Sequence, residues 1–328
     1  MLDVRRLRLL RELSLRGTIA AVAEALAYTP SAVSQQLSAL EREAGVPLLE
    51  RTGRRVVLTP AGRQLVNHAE AVLERLEQAA ADLAGTRRGL AGPVRIGAFP
   101  TATRALVLPA LADLARRHPG LEPRVREIDP AEVAGALRAG DLDVALIHAY
   151  DFVPAPAEPG LAVSTLYTEP MYLASTGPVA EPLELDGVSP LGRRREAPWI
   201  TATPGTLCHT MTVRACQAAG FHPDVRHQVD DFPTVLSLVA AGQGVAVVPY
   251  LGATETPAGV TLTRLPMHRR TRIACRAGND HHPAVSAVAA ALRAAVPAEL
   301  AENGELTADG EGAGTVGQRQ PPALPSLP

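Results

Sequence analysis

No apolar run in the 328-residue chain is long enough to span a bilayer, and the first residues carry no hydrophobic signal core. These absences set aside a membrane-spanning or exported protein, so a cytoplasmic location without a membrane partner is expected. Cysteine is scarce, only Cys208, Cys216 and Cys275, and reduced thiols are expected in that compartment. There is no glycine-rich phosphate loop, no paired-cysteine zinc motif and no Gly-x-Ser-x-Gly elbow. The best metal candidates are His281-His282 and the His222/His227 pair; they lack a nearby cysteine or a cluster of acids and read as solvated loop histidines. The expectation is therefore a non-enzyme that uses no metal and no cofactor. Aromatic residues make up only 3% of the chain, so its core must be built from alanine, leucine and valine. Lysine is missing altogether: all 32 basic residues are arginine, as expected of a GC-rich genome.

What is present concentrates at the N-terminus. Net charge over the whole chain is −2, yet residues 1–65 hold ten arginines against six acids, a local balance of +4. Within that stretch Thr29 can cap a helix and Pro30 suits its first turn. Val33, Leu37 and Leu40 then form one apolar stripe, while Ser31, Ser34, Gln35 and Ser38 form a neutral polar stripe on another face. Hydroxyl and amide side chains without negative charge suit a major groove lined by base donors, base acceptors and phosphates; an ordinary solvated face is the alternative. Upstream, Gly17-Thr18 opens a short helix with Ile19, Val22, Ala23 and Leu26 on one side. Ala27-Tyr28 makes a tight corner, which gives helix-turn-helix spacing. Leu7, Leu10 and Leu13 of an arginine-rich first helix close a three-helix core. Gly45 and Pro47 stop the second helix of the pair, and Val46 to Leu49 and Val56 to Leu58 follow as a hairpin. The hairpin tip carries Arg51, Arg54 and Arg55, which reads as a wing that touches phosphate or enters a minor groove.

Three segments together carry a resemblance: Gly17 to Leu26, Ser34 to Glu41, and Gly45 to Arg51 continuing through Leu58-Thr59-Pro60-Ala61-Gly62. On these the chain resembles a LysR-type transcriptional regulator. It departs from the family pattern at Ile19 and Leu49, where an aromatic residue is frequent, and at Gln35, where arginine is common. The first two changes are apolar for apolar, and the third implies a different base or phosphate contact. The resemblance implies an α/β chain with an N-terminal winged helix-turn-helix, a long linker helix and a two-lobed effector domain like that of type 2 periplasmic solute-binding proteins. It further implies double-stranded DNA with an interrupted palindrome as target, a homodimer or homotetramer, an unidentified small-molecule effector, and RNA polymerase as a partner if the protein activates.

After Thr59-Pro60 a helix is expected to about Arg88. Leu65, Ala69, Val72, Leu76, Ala79 and Leu83 step alternately by four and three, which is an a/d seam that pairs with a second copy or packs on its own domain. A linker at 87–93 leads into alternating strands and helices, read as a parallel sheet with helices on both faces. Strands are expected at 94–99, 125–128, 142–147, 170–175, 199–202, 225–229, 245–248 and 272–276. Helices are expected at 102–117, 131–139, 206–219, 233–241 and 283–296, and an irregular stretch around Pro154, Pro156 and Pro159. The domain division is thus 1–60, 61–90 and 91–297, the last split into lobe I (91–163 and 267–297) and lobe II (164–266). A disordered acidic tail over 298–328 completes it.

Ligands in such folds sit beyond strand ends against helix N-termini. Two junctions fit, Phe99-Pro100-Thr101-Ala102-Thr103 and Thr203-Pro204-Gly205-Thr206. Pro100, Thr101, Thr103, Thr203 and Thr206 are effector candidates there, a cradle for a carboxylate or another polar group, although plain capping explains one threonine per junction. His148 and Asp231 are further candidates, Asp231 being equally a helix cap. Cys208 and Cys216 stand eight helical residues apart, roughly 12 Å between Cα atoms, too far for a disulfide without unwinding. A small-molecule sensor is therefore expected in place of a disulfide switch. Two other readings fit parts of the chain: a solute-binding receptor, which leaves the winged helix unexplained, and a constitutive DNA-binding protein with an inert C-terminal lobe.

Overall fold

A computed structural model describes residues 1–52, 55–86, 89–153, 158–177 and 189–305. Helix α1 (Val4–Arg16) is capped by Asp3, which accepts from the backbone N–H groups of Arg5 and Arg6. Helix α2 (Ile19–Ala25) is capped by Thr18, and α3 (Pro30–Ala44) by Thr29, with Pro30 in its first turn and Gly45 left-handed at its end. The corner between α2 and α3 forces Ala27 to a φ of 55°, a conformation L-residues other than glycine adopt rarely. Val22, Val33, Leu37 and Leu40 pack with Leu7, Leu10 and Leu13 in one buried core. Strands β1 (Leu49–Thr52) and β2 (Arg55–Leu58) pair antiparallel and form the expected wing, but the first strand begins at Leu49, where the expected one ends, so Arg51 and Arg55 lie in the strands and not at the tip. Arg54, at its tip, lies outside the described residues.

Helix α4 (Pro60–Gly85) starts at the Thr59 cap. A Cβ at Gly62 would collide with the Leu48 backbone carbonyl, so only glycine lets α4 pass this close to the wing. The heptad expectation needs correction in its first half. Ala69 is fully buried and Leu65 partly buried in the winged-helix core, because α1 packs along this part of α4. Val72, Leu76, Ala79 and Leu83 remain exposed and continue the 4-3-4 spacing.

Beyond the linker, whose Arg87 and Arg88 lie outside the described residues, a six-stranded sheet runs in the order β4-β3-β5-β10-β6-β9. Its strands are β3 (Gly92–Ala98), β4 (Leu121–Glu127), β5 (Val144–Tyr150), β6 (Leu161–Thr176), β9 (Ala246–Pro249) and β10 (Val260–Arg276). The all-parallel expectation fails: only β3 with β4 and β5 is parallel here, while β10 is antiparallel to β5 and β6, and β6 to β9. The two long strands β6 and β10 run through both lobes and form the connection between them. The expected strands at 170–175 and 272–276 cover only parts of β6 and β10. Pro170 pairs opposite His268, beside a register shift between Arg264 and His268 that accommodates Pro266, so the ladder bends and continues.

Lobe I carries α5 (Pro100–Ala102), a π-helical turn (Thr103–Val107), α6 (Leu108–Arg117), α7 (Pro130–Ala139) and α10 (Pro283–Ala294). Separate buried clusters lie on the two faces of its sheet. Lobe II adds β7 (Pro198–Thr201) and β8 (Asp224–Gln228), paired parallel, with α8 (Leu207–Ala218) and α9 (Phe232–Ala240). Pro154 and Pro156 lie outside the described residues. Disorder from residue 298 onward is also corrected: α11 (Ala298–Glu305) forms, and Leu300 is 2% exposed in the lobe I core. Burial of that one leucine explains the docking of an otherwise polar segment; residues 306–328 lie outside the described ones.

The winged helix leans on lobe I. Arg8 donates to the carbonyls of Arg138 and Ala139 at 2.7 and 2.9 Å, satisfying orphan acceptors at the end of α7. Arg276, the last residue of β10, pairs with Glu77 of α4 at 2.9 Å, and Gly278 just beyond it packs directly on the Glu74 carbonyl, where a Cβ would collide.

Candidate functional site

Two sites emerge, one on each half of the chain. On α3, Thr29, Pro30, Ser31, Ser34, Gln35 and Ser38 are all exposed on one side while Val33, Leu37 and Leu40 face the core. Glu41, the acid nearest that face, is turned away: its carboxylate accepts from the backbone N–H groups of Leu48 and Leu49, both at 3.0 Å, and so anchors the wing. Arg6 and Arg42 border the serine and glutamine side chains in a shallow groove with Ser34, Gln35 and Ser38. Arg51 of the wing is exposed, and Arg55 opens β2.

The second site is a cavity of about 320 Å3 between the lobes, in the range of small-molecule sites. Of the residues singled out in the sequence, Pro100, Thr101, His148, Thr206 and Asp231 line it. Thr103 and Thr203 do not. Thr103 donates to the Phe99 carbonyl at 3.2 Å, and Thr203 is tied to Asp230 through its hydroxyl at 2.7 Å and its N–H at 2.8 Å. Thr206 and Asp231 cap α8 and α9 by accepting from the N–H groups of His209 and Thr234, so both do the work of plain capping while facing the cleft.

Sequence reasoning missed the floor of this cavity. Arg269 of β10 is 1% exposed and donates from Nε to Glu169 at 2.7 Å and from Nη2 to Thr101 Oγ1 at 3.1 Å. Its guanidinium also lies 5.0 Å above the Phe99 ring, a cation–π contact. Glu169, fully buried, uses its other oxygen to accept from the Leu251 N–H at 2.8 Å. Burial opposes the charge on Arg269, but the Glu169 carboxylate more than compensates and holds the guanidinium protonated. The available signal was the alternation of Leu265, Met267, Arg269, Thr271 and Ile273 along one face, which places a charged residue in register with core positions.

His148 packs edge-on between Phe99, at 4.5 Å between ring centres, and Tyr150, at 5.1 Å. Its Nδ1 is buried without a hydrogen-bond partner among the described residues. Burial first, and then the charge of Arg269, push its pKa well below the ordinary histidine value, so the ring is neutral at pH 7. A proton is thus bound below about pH 6.5 in the unfolded chain but not in the folded one. Stability is therefore full above that pH and falls as pH drops toward the folded value. Chemical denaturation at pH 7 and pH 5.5 should show this loss in the wild type and a smaller loss in His148→Phe.

Burial raises the Cys208 thiol to about 11 and the Cys216 thiol to about 12. Both are free thiols on α8, and Cys208 faces the Tyr150 hydroxyl within the cleft. Among the described residues no group of three or more His, Cys, Asp or Glu side chains is placed to hold a metal ion, and no helix is long and apolar enough to cross a membrane.

Family comparison follows the same division. Residues 4–63 match the bacterial regulatory helix-turn-helix protein, lysR family, and residues 87–297 match the LysR substrate binding domain. The chain belongs to the LysR family. It is a DNA-binding transcriptional regulator with the winged helix, linker helix and two-lobed effector domain of that family. Relatives include a probable hydrogen peroxide-inducible genes activator of Mycobacterium avium, 33% identical over 229 residues, covering 69% of this chain and 71% of that one. The transcriptional dual regulator GltC of Bacillus subtilis is 28% identical over 275 residues, covering 82% and 89%. Among solved structures, a hydrogen-peroxide-bound cysteine variant of Corynebacterium glutamicum OxyR superposes with a TM-score of 0.54 at 25% identity. That match covers 90% of this chain and 92% of the other.

Proposed function

We propose that this LysR-family chain binds an interrupted palindrome as a homodimer or homotetramer, and that a small molecule held between the two lobes of the effector domain sets its affinity or activity there. The observation that carries this reading is the cavity itself: its walls come from both lobes, and its floor is a residue of β10, the strand that also reaches the linker helix. Arg269 at the cleft and Arg276 on Glu77 are seven positions apart on one strand. Closing the lobes on a ligand would move one end of a strand whose other end grips α4, so a cleft event is mechanically connected to the spacing of the wings. Melting of the full-length protein against a metabolite panel tests the reading, because a ligand that binds only the folded state raises its midpoint. A hit should also shift operator affinity. A hit without such a shift would leave the constitutive DNA-binding alternative.

Sequence discrimination is assigned to Ser31, Ser34, Gln35 and Ser38, and most of the binding energy to arginine–phosphate contacts, with Thr29, Pro30, Arg51, Arg54 and Arg55 positioning the duplex. Gln35→Ala should cost about 1–3 kcal/mol at a single base position of the operator. Equal weakening on every sequence, measured by competition binding, would instead mark Gln35 as a phosphate contact.

The relatives named for hydrogen peroxide induction raise a thiol-sensing reading for Cys208 and Cys216. The raised pKa of both thiols leaves them protonated at neutral pH and argues against it, since the thiolate is the species that reacts. Micromolar peroxide should leave operator binding unchanged. A Cys208–Cys216 disulfide that forms at such doses and alters binding, seen by mass spectrometry and gel shift, would replace the ligand reading.

A further inference from the structure

The cleft contains charge, but its cationic seats are already taken. Four helices present N-termini to it. Three are capped by the chain's own side chains: α7 by Asp129, α8 by Thr206 and α9 by Asp231. Only α5, behind Phe99, lacks a side-chain cap. The lining carries four carboxylates, Glu127, Asp129, Asp230 and Asp231, against two guanidinium groups, Arg104 and Arg269. Arg104 pairs with Asp231 at 3.5 Å across the mouth, joining the two lobes. Arg269 is neutralised by Glu169 on the floor. An anionic ligand would thus meet a surplus of negative charge with no uncommitted cation among the described lining residues; an ammonium would find those carboxylates only at the rim, where Glu127, Asp230 and Asp231 are exposed, and an apolar interior (Ile128, Ile200, Val229, Phe232, Val235) that does not solvate it. Against this background one buried polar side chain is left over: His148, neutral, whose Nδ1 is sealed and has no partner among the described residues while the rest of its ring lines the cavity. A neutral imidazole has one donor and one acceptor nitrogen, so it pairs with a hydroxyl or a carboxamide.

Building on the ligand-sensor reading above, we propose that the effector is an uncharged, largely apolar molecule whose single hydroxyl or carboxamide group hydrogen-bonds to His148. This departs from the carboxylate cradle suggested by the threonines of the two strand–helix junctions. Three of those threonines spend their hydroxyl protons within the protein, Thr103 on the Phe99 carbonyl, Thr203 on Asp230 and Thr206 on the Thr203 carbonyl, and Thr101, which accepts from Arg269, keeps one proton to offer. Burial of a ring against the apolar walls supplies the affinity, and His148 fixes the orientation.

The test uses matched triplets built on several one- and two-ring skeletons, each as primary carboxamide, carboxylate and aminomethyl compound, for example 2-naphthamide, 2-naphthoate and 2-naphthylmethylamine. Binding to the full-length protein is read by thermal midpoint and calorimetry at pH 7.5. The carboxamides are expected to bind at least about tenfold more tightly than their charged partners, since an unpaired desolvated group costs roughly that much or more. In His148→Phe, which keeps a ring between Phe99 and Tyr150, the carboxamide advantage should fall toward that of an unsubstituted ring. In Val235→Trp, which fills the cavity, all binding should disappear. The comparison among ligands on the wild-type protein stands even if a variant fails to fold. Tighter binding of carboxylates or amines would overturn the proposed ligand class and leave the sensor reading intact. Absence of binding by every member of every triplet would overturn both.

Discussion

Replacing Arg269 with alanine should lower the unfolding free energy by about 3–5 kcal/mol, the range for removing one partner of a buried ion pair. The cause is what remains behind. Glu169, with no exposed surface, keeps the Leu251 N–H and loses the guanidinium, and Thr101 loses its donor. Arg269→Met with Glu169→Leu in the same chain should cost less than the sum of the two single changes, since apolar replacement of both charges removes the orphaned carboxylate. Urea denaturation of the wild type, Arg269→Ala, Arg269→Met, Glu169→Leu and the double variant measures it. A loss under 1 kcal/mol for Arg269→Ala would mean that water reaches Glu169 and that the cavity floor is not dry.

The second large effect belongs to the linker helix. Leu76→Asp should weaken dimerisation by about 10²–10⁴-fold. In the proposed α4-paired dimer each copy would contribute a leucine whose burial is worth about 1.5–3 kcal/mol, and a two-fold interface counts it twice. Leu76 is 49% exposed and Leu83 70% exposed in the single chain, so truncating either leaves the protomer's own core intact. Sedimentation should show monomers at concentrations where the wild type is dimeric, with the melting of the winged helix unaltered. Ala69→Asp would be uninformative by comparison, because that position is buried against α1 and its loss would unfold the domain.

The N-terminal half was legible nearly residue by residue. Short-range signals decide it: Thr29 and Pro30 begin α3, Gly45 ends it, and a 3.6-residue stripe of Val33, Leu37 and Leu40 fixes which side is buried. The linker was half legible. A heptad shows that a face is apolar and says nothing about which neighbour covers it, so Leu65 and Ala69 went to α1 while Val72 onward did not. The effector domain was legible in its helices and least so in its long strands. In β6 and β10 the prolines that ordinarily end strands sit opposite a bulge, a feature that exists only once the two strands have paired. The cavity floor was hidden for the same reason. Arg269 and Glu169 are one hundred positions apart and become partners through that pairing, whereas of the local threonines Thr206 caps α8 and Thr103 and Thr203 bond to the Phe99 carbonyl and Asp230.

Selection and sequencing of DNA fragments by the purified full-length protein at moderate salt, where nonspecific phosphate binding is suppressed, tests the central claim most directly: that two copies of the α3 face read one operator. The account predicts an enriched dyad whose half-sites keep a regular spacing, lost in Leu76→Asp and altered at one base pair per half-site in Gln35→Ala. Enrichment of a single undivided site by the wild type, or no enrichment while the dimer is intact, would contradict it.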